Sequence, residues 1–404
     1  MKIGFFVNTF PCRSQTFVWS QIKGLLDQEQ EVHVFARDSE EGQFSYHPSL
    51  YLHYEKVIEG RVLKQWTGVF SQLIKWLVTS PRLFLKLLPI FWQLRGCNVP
   101  RFLANLGWYR ETPLNGLDVV VAHFGPNGLR ANALKSLGLF DARIFVFFHG
   151  YDISEKVDRF GKKYYSSLFR SDATLLPISE FWKCKLIDLK ASEKSVIVHR
   201  MGIAVDGLPV KGKGGSGEFV ISSVARLVEK KGLEYAIKAL EILKKEGRLF
   251  KYRIIGDGPL RKNLENMIHE FDLANEVVLV GPLSHARVCE EIVHSDVFVL
   301  PSVTSLKGDM EGIPVSLMES MAIGTPVIST YHSGIPELIE NGVSGLLVPE
   351  RDVGGLALAI NAIMDDSKMA KNLSANARLK VVSHFELELL NKRLLGILSG
   401  GGYV

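Results

Sequence analysis

Cysteine is scarce in this chain: its 404 residues include 4 cysteines, which lie far apart, with no C-x-x-C pair and no histidine at ligand spacing. Neither a disulfide framework nor a zinc site is therefore supported. Uninterrupted apolar runs stay shorter than the ~18 residues that a membrane-spanning helix needs. The apolar run in Met1–Asn8 is too short for a signal peptide and predicts a buried strand. The expected setting is a reducing cytoplasm.

Two further absences narrow the function. The loop after the first predicted strand contains no G-x-G-x-x-G, which argues against a dinucleotide-binding oxidoreductase. The formal net charge of +5 is modest and gives by itself no reason to expect a nucleic-acid partner. With 47% hydrophobic and 23% charged residues, the chain is globular and long enough for two ordinary domains.

Buried strands alternate with helices along the chain, which predicts an α/β fold with parallel sheets. The strands are predicted at 3–7, 31–36, 118–123, 143–148, 173–179, 196–199, 219–224, 252–255, 277–281 and 297–302. The glycine-rich stretch that begins at residue 207 is predicted to be a flexible linker, so the pattern of strands and helices restarts after it.

Two acidic residues flank the start of a helix predicted at about 314–323. Pro314 suits a first helical turn, and Gly324 is a stop signal. Glu311 lies on the preceding loop, and Glu319 lies within the helix. Free backbone N–H groups at a helix start attract phosphate, whereas carboxylates accept hydrogen bonds from hydroxyls. The pair suits a nucleotide sugar; the alternative is a favourable N-terminal acid beside a solvated helical residue.

Several strand ends carry side chains suited to ligands. Gly256 and the cations Arg226 and Lys231 follow strands and precede helices, a placement suited to phosphate; two exposed loop cations are the alternative. His123 and His149 fall at the carboxyl ends of predicted parallel strands, where open α/β sheets bind ligands. The alternative for each histidine is a structural role.

These motifs together resemble glycosyltransferase family 4, retaining enzymes of the GT-B fold. The resemblance implies two Rossmann-like domains facing a cleft, with a last helix that crosses back to the first domain. It implies that Glu311 and His149 are catalytic and orient the donor sugar, and that Glu319 meets the ribose. The other implied donor-binding residues are Arg226 and Lys231, which hold the diphosphate, together with Gly256, Gly312, Ile313, Pro314 and Val315. Because two cations can neutralise the leaving group, no metal or other cofactor is expected.

A second resemblance, to the exopolysaccharide branch of that family, rests on the first domain. Ser14-Gln15-Thr16-Phe17-Val18 is similar to the S-E-T-F-I of the colanic acid and amylovoran type, with Gln15 in place of Glu. The segment from Val121 to Gly125, which contains His123, is similar to H-x-H-F-G, with Val121 in place of the first His. The residues implied to lie on the acceptor side are Ser14, Gln15, Thr16 and His123. A plain helix N-cap made by Ser14 or Thr16 is the alternative for that loop.

The stretch 60–110 combines aromatic residues with basic ones and contains no acid between Glu59 and Glu111. Its basic residues are Arg61, Lys64, Lys75, Arg82, Lys86, Arg95, Arg101 and Arg110. Basic amphipathic helices rich in Trp and Phe bind membrane interfaces, so we expect contact with a membrane surface. The alternative is a helical insertion whose aromatic residues pack on its own domain.

The resemblance implies a first, acceptor-binding domain at 1–206, a linker at 207–218, a nucleotide-sugar domain at 219–380, and a helix and tail at 381–404. The expected reaction is transfer of a hexosyl group, with retention, from a nucleotide diphosphate sugar, expected to be a UDP-sugar, to a lipid-linked oligosaccharide acceptor. The protein is expected in the cytoplasm, peripheral on the inner face of the membrane, making exopolysaccharide. Alternatives are a GT-B sugar-nucleotide epimerase, a lipopolysaccharide or teichoic acid glycosyltransferase, and an inert binding subunit.

Overall fold

The computed structural model describes residues 1–12, 15–40, 47–55, 87, 89–91, 93–212 and 217–401. The chain divides into two compact units. The first contains Met1–Ile178, Trp182–His199 and Asn391–Val404, and the second contains Ser179–Phe181 and Arg200–Leu390. The first unit therefore takes its residues from both ends of the chain.

The first unit has a six-stranded, all-parallel sheet in the order β3-β2-β1-β4-β5-β6. Its strands are β1 (Lys2–Thr9), β2 (Glu31–Asp38), β3 (Leu50–Tyr54), β4 (Val119–His123), β5 (Arg143–Phe148) and β6 (Thr174–Pro177). Every residue of β4 is buried, because a central parallel strand is covered by helices on both faces. This order is the doubly wound one, and it places the topological switch point between β1 and β4.

The helices follow the strands. They are α1 (Thr16–Leu26), α2 (Val99–Ala104), α3 (Leu106–Glu111), α4 (Gly125–Ser136), α5 (Glu155–Phe160), α6 (Ser166–Phe169) and α7 (Glu180–Asp188). Gly128 in α4 lies so close to β5 that a Cβ atom there would be 2.6 Å from Val146. This close approach draws α4 onto the sheet.

The second unit repeats the same topology, in the order β12-β11-β10-β7-β8-β9. Its strands are β7 (Phe219–Val224), β8 (Phe250–Ile255), β9 (Val277–Gly281), β10 (Val297–Leu300), β11 (Val327–Thr330) and β12 (Leu346–Val348). Side chains of β10 alternate between two buried clusters: Val297 and Val299 face one, and Phe298 and Leu300 face the other. The switch point lies between β7 and β10.

Helices supply the remaining apolar side chains of both clusters. They are α8 (Leu233–Lys245), α9 (Arg261–Glu270), α10 (His285–Val293), α11 (Val315–Ile323), α12 (Ile335–Leu338), α13 (Val353–Asp365), α14 (Ser367–His384) and α15 (Leu387–Ser399). Helix α15 begins in the second unit, and from Asn391 onward it belongs to the first. There Arg143 donates a hydrogen bond to the carbonyl oxygen of Leu398 at 2.5 Å.

The structure differs from the sequence predictions at three places. The strand predicted at 196–199 is not one: Ile197 and His199 each donate one backbone hydrogen bond to β6, which makes only an isolated bridge. Strand β3 was not predicted, because the short segment Leu50–Tyr54 includes polar residues and shows no clear alternation. Residues 200–206, expected in the first domain, group with the second unit.

The basic aromatic stretch is described in part, since residues 56–86, 88 and 92 lie outside the described residues. In the described part Leu94, Phe102 and Tyr109 are buried. Arg101 forms ion pairs with Asp38 and Glu55. Residues 93–110 thus follow the alternative of packing on their own domain. None of the helices described is long and apolar enough to cross a membrane.

Candidate functional site

The loop after β7 carries the predicted phosphate-binding cations to the carboxyl edge of the second sheet. It contains the 3-10 turn Glu229–Lys231 and ends at Gly232, whose φ is +65°. A Cβ atom at Gly232 would be 1.8 Å from the carbonyl oxygen of Pro301, so only glycine allows this close approach to the end of β10. Arg226 is exposed at the start of the loop.

Lys231 lies against Glu311, and the neighbouring Lys230 joins them. The Lys231 Nζ atom is 3.0 Å from Glu311 Oε2, and Lys230 Nζ is 3.6 Å from Oε1. Lys230 also donates a hydrogen bond to Asp309 at 3.1 Å. Two loop lysines and two carboxylates therefore meet at the edge of the sheet, and their formal charges balance.

The Glu311 carboxyl is 7% exposed and ionised. Burial acts to raise its pKa, but Lys231 and Lys230 outweigh burial, so the pKa lies below its usual 4.5. Its Oε1 atom is buried, lies 3.6 Å from Lys230 Nζ, and accepts no hydrogen bond from the residues that the structure describes. Buried acceptors without a donor are rare, and a sugar hydroxyl is the kind of donor that would satisfy this one.

The backbone at Glu311 is held by a chain of hydrogen bonds that the sequence did not predict. The Glu311 N–H donates to His332 Nε2 at 3.0 Å, so that nitrogen is the unprotonated one. His332 Nδ1 therefore carries the proton and donates to Glu350 at 2.5 Å. Burial acts to raise the pKa of Glu350, yet the His332 bond and the Thr304 N–H lower it, so Glu350 remains an anion. The Ser333 hydroxyl donates to the Glu311 carbonyl oxygen at 2.7 Å.

The helix after Glu311 begins with an open turn. Pro314 is the N-cap of α11, and none of the described side chains caps the N–H groups of the first turn. The helix begins at Val315 and ends at Ile323 before Gly324, close to the predicted bounds. A helix start that no described side chain caps, close to Lys230 and Lys231, is suited to an anion.

Glu319 lies further along α11 and bonds outside the Glu311 cluster. His285 donates a hydrogen bond to its carboxylate at 2.9 Å, and this bond raises the pKa of His285 above 6.5. Gly256 has a backbone role: its φ is +130°, and a Cβ atom there would be 2.0 Å from the carbonyl oxygen of Ala225. It thus brings the ends of β7 and β8 together.

The first unit has its own polar cluster at the ends of β4 and β5. His123 Nδ1 is 3.0 Å from His149 Nε2, and His123 Nε2 is 2.9 Å from Gln21 Oε1. With Gln21 Oε1 as the acceptor, His123 is protonated on Nε2, and His149 donates to it from its own Nε2. Burial lowers the pKa of His149 to about 3 and that of His123 well below 6.5, so both rings are neutral.

Asp152 fixes the loop that carries His149. Its Oδ1 atom accepts from the N–H groups of His149 at 2.9 Å and Gly150 at 3.0 Å, and Oδ2 accepts from Gly125 at 2.8 Å. Burial raises the pKa of Asp152 to about 6. The carboxyl group thereby ties the start of α4 to the end of β5.

The loop before α1 is described from Gln15 onward, and Ser14 lies outside the described residues. Gln15 is the N-cap of α1 but makes no side-chain capping bond, while Thr16 is the exposed first residue of the helix. The alternative interpretation of Thr16 as the N-cap is therefore wrong. Gln15 lines a cavity in this unit together with Arg37 and Lys156.

Comparison with known proteins assigns the family. A family model described as "Glycosyl transferases group 1" matches residues 209–380. WcaL of Escherichia coli, named as a colanic acid biosynthesis glycosyltransferase, is 37% identical over 98% of this chain and 99% of its own length. The chain belongs to the group 1 glycosyltransferases. The amylovoran biosynthesis glycosyltransferase AmsK of Erwinia amylovora is 36% identical over 98% of this chain and 99% of its own length.

The fold of this group 1 glycosyltransferase is that of the GT-B glycosyltransferases. The structure of HepE from Anabaena, solved with UDP and glucose, superposes with a TM-score of 0.72 at 17% identity. The match covers 99% of each chain. The two Rossmann-like sheets and the final helix shared between the units agree with the predicted architecture.

In this glycosyltransferase the structure brings together some predicted site residues but not others. Lys231 and Glu311 are in contact, and His123 is in contact with His149. Glu319 instead pairs with His285. Side chains that the sequence analysis gave no role hold both groups: Lys230, His332 and Glu350 in the second unit, and Gln21 and Asp152 in the first. Lys230 is next to Lys231, and Asp152 is three residues after His149, so their positions alone could have suggested these two.

Proposed function

We propose that this glycosyltransferase transfers a hexosyl group from a UDP-sugar to a lipid-linked oligosaccharide, with retention at the anomeric carbon, in exopolysaccharide biosynthesis. The observation that carries the proposal is the contact of Lys231 and Lys230 with Glu311 beside the uncapped start of α11. Cations and free N–H groups bind a diphosphate, whereas a buried carboxylate binds hydroxyls. A nucleotide sugar offers both in one molecule.

The parts of the second unit then have distinct tasks. Arg226, Lys231 and the backbone N–H groups of Gly312, Ile313 and Val315 bind the diphosphate and stabilise the charge that develops as it leaves, and Pro314 sets the start of the helix. Glu311 accepts hydrogen bonds from the sugar through its buried Oε1 atom, to which none of the described residues donates a hydrogen bond. Glu319 binds the ribose hydroxyls once its hydrogen bond with His285 is broken. Under this proposal the cations do the work of a metal ion, and no cofactor is required.

His149 is proposed as a neutral hydrogen-bonding group. With a pKa of about 3 its ring is uncharged at physiological pH, so it acts through its dipole and not as a proton donor. Because Nε2 donates to His123, the Nδ1 atom is left as an acceptor for a hydroxyl. A neutral ring suits orientation of a sugar better than acid catalysis.

The acceptor and the setting rest on relatives and on sequence. WcaL and AmsK are named for colanic acid and amylovoran biosynthesis, and HepE was solved with UDP and glucose. These names support an exopolysaccharide role and a UDP-linked donor. The basic aromatic stretch supports a lipid-linked acceptor at the inner membrane surface, through residues 60–86. Flotation with anionic liposomes tests this: binding is expected to fall when Lys75, Arg82 and Lys86 are changed to Glu.

A thermal-shift screen of UDP-, GDP- and ADP-sugars tests the donor. At 100 times its Kd a ligand stabilises the folded state by about 2.7 kcal/mol, so a bound donor raises the Tm by several degrees. Lys231→Met is expected to abolish that rise. Lys245→Met is the matched control, because Lys245 pairs with Glu241 on a surface where its side chain is 72% exposed. No shift with any UDP-sugar contradicts the donor assignment.

The stereochemical outcome is tested on the product. The coupling constant of the new anomeric proton, read by NMR, is expected to match the configuration of the donor. An inverted product contradicts retention even if the donor assignment holds. Release of UDP that depends on added acceptor separates transfer from epimerisation.

A further inference from the structure

The first unit contains a cavity that the proposed donor site does not use. Its volume is about 170 Å³, and Gln15, Arg37, Cys97, Asn127 and Lys156 are among the residues that line it. Sites for whole small molecules usually measure about 300–1,000 Å³. The cavity is therefore too small for a nucleotide sugar and fits one compact group of a larger ligand.

Positive charge is in excess behind this cavity. A single buried carboxylate, Glu55, is shared by three guanidinium groups: Arg101 at 2.9 Å, Arg130 at 3.5 Å and Arg37 at 3.7 Å. Asp38 also pairs with Arg101, but its side chain is 53% exposed to solvent. Among the residues that the structure describes, three guanidinium groups thus share one buried carboxylate and one exposed carboxylate, which leaves positive charge in excess.

The hydrogen bonding is incomplete in the same place. Within the described chain, Arg37 Nε and Arg130 NH1 reach Glu55 only at ion-pair distances of 3.7 Å and 3.5 Å and donate no hydrogen bond, and Arg130 Nε donates none either. Burial first, and then Arg130, lower the pKa of Arg37, as expected for a cation short of counter-charge. Unpaired buried donors are rare in folded proteins, and an unpaired buried charge is costly. An anion in the cavity, beside Arg37, would supply counter-charge to this cluster.

The cavity wall favours a phosphoryl group as that anion. Lys156 provides a second cation, and Gln15 and Asn127 provide side-chain amides. One carboxyl group, Asp152, also lines the cavity, but its oxygens already accept three backbone N–H groups. A guanidinium fork and a lysine together are a common arrangement for binding phosphate.

We propose that this cavity binds a phosphoryl group of the acceptor, namely of the diphosphate that links its oligosaccharide to the lipid. The inference rests on the proposed function, which gives the acceptor its lipid diphosphate and assigns the donor diphosphate to the second unit. Gln15, predicted on the acceptor side, lines the cavity. The acceptor is thus recognised partly by its charge, and not by its sugars alone.

The first test uses farnesyl diphosphate, a short lipid diphosphate, with farnesol as its uncharged counterpart. Farnesyl diphosphate is expected to raise the Tm of the wild type and of Lys231→Met, a variant that lacks one cation of the proposed donor site. Farnesol is expected to leave both Tm values unchanged. Lys156→Gln is expected to remove the rise, and Lys163→Gln, at an exposed neighbouring lysine, to keep it. Inorganic pyrophosphate in parallel shows whether the anion alone suffices. A rise that Lys231→Met abolishes, or that Lys156→Gln retains, overturns the proposal.

The second test measures the KM of the reaction. Lys156→Gln is expected to raise the KM for a polyprenyl diphosphate oligosaccharide about tenfold, since charge-assisted hydrogen bonds of this kind contribute about that factor. The KM for the UDP-sugar is expected to stay unchanged, as is the rate with the methyl glycoside of the same oligosaccharide. An equal loss with both acceptors overturns the assignment. If no UDP-sugar acts as a donor, the proposed function is wrong. The binding test with farnesyl diphosphate does not depend on that result and still decides whether the cavity binds a lipid diphosphate.

Discussion

Neutralising Lys231 and Glu311 one at a time and then together measures how strongly each depends on the other. Lys231→Met leaves the Glu311 carboxylate, whose side chain is 9% exposed, with Lys230 at 3.6 Å as its remaining cation in the described chain. Stranding a buried charge costs about 3–5 kcal/mol, and because Lys230 remains we expect about 2 kcal/mol. Glu311→Gln costs about 1 kcal/mol through the lost hydrogen bond. The double variant strands no carboxylate, so it also costs about 1 kcal/mol, and the coupling is about 2 kcal/mol.

The assay must report on the second unit alone. All 6 tryptophans precede Arg200, so tryptophan fluorescence follows the other part of the molecule. Native-state hydrogen exchange, read by mass spectrometry on peptides covering β10 and α11, gives the opening free energy where the substitutions act. Lys245→Met with Glu241→Gln is the matched pair on the surface, with an expected coupling below about 0.5 kcal/mol.

The dependence on pH follows from the depressed pKa of Glu311. A carboxyl whose pKa is lower in the folded state contributes stability above its unfolded pKa, near 4.5, and loses it as the pH falls through the folded value. The coupling should therefore be equal at pH 6 and pH 8 and decline below pH 4.5. The double variant is expected to be stable yet unable to bind the UDP-sugar. Additive destabilisation, with no coupling at pH 7, would refute the assignment of Lys231 as the main partner of Glu311.

Three other variants follow from the same contacts. His332→Ala removes the acceptor of the Glu311 N–H, and an unsatisfied buried donor costs about 1–3 kcal/mol. We therefore expect kcat to fall at least tenfold and the KM for the donor to stay close to the wild-type value, which steady-state kinetics measure. His285 binds Glu319 most tightly when protonated, so the donor KM should rise about twofold from pH 8 to pH 6 in the wild type and stay flat in His285→Ala. His149→Ala should lower kcat about a hundredfold, with the same pH–rate profile as the wild type between pH 5 and 8, because the pKa of His149 is about 3.

The sequence predicted the parts of the fold that depend on local pattern. Buried apolar runs such as Val119–His123 correctly predicted the central strands, and Gly324 correctly predicted where α11 ends. The strand at 196–199 was wrong because its apolar residues meet β6 through an isolated bridge only, a matter of pairing that a single segment does not reveal. Local periodicity predicts which elements form better than it predicts which of them pair.

The candidate site shows the same division. Lys231 and Glu311 were predicted from motifs, and they meet across 80 positions of sequence. Glu350 was not predicted: it acts through His332 and through Thr304, which is 46 positions away. Such a partner is brought into place by the end of a strand, here β12, and no spacing in the sequence marks it. Long-range hydrogen bonds of this kind are visible only after folding.

Helix α15 has a consequence for how the protein is made. The first unit includes Asn391 onward, and Gly24 lies so close to Asn391 that a Cβ atom there would be 1.7 Å from the asparagine amide. A ribosome therefore releases Asn391 and its neighbours only after both sheets have been synthesised. A chain that stops at His384 lacks this closing segment although it contains every strand that the structure describes. The first unit must wait, incomplete, until helix α15 has been translated.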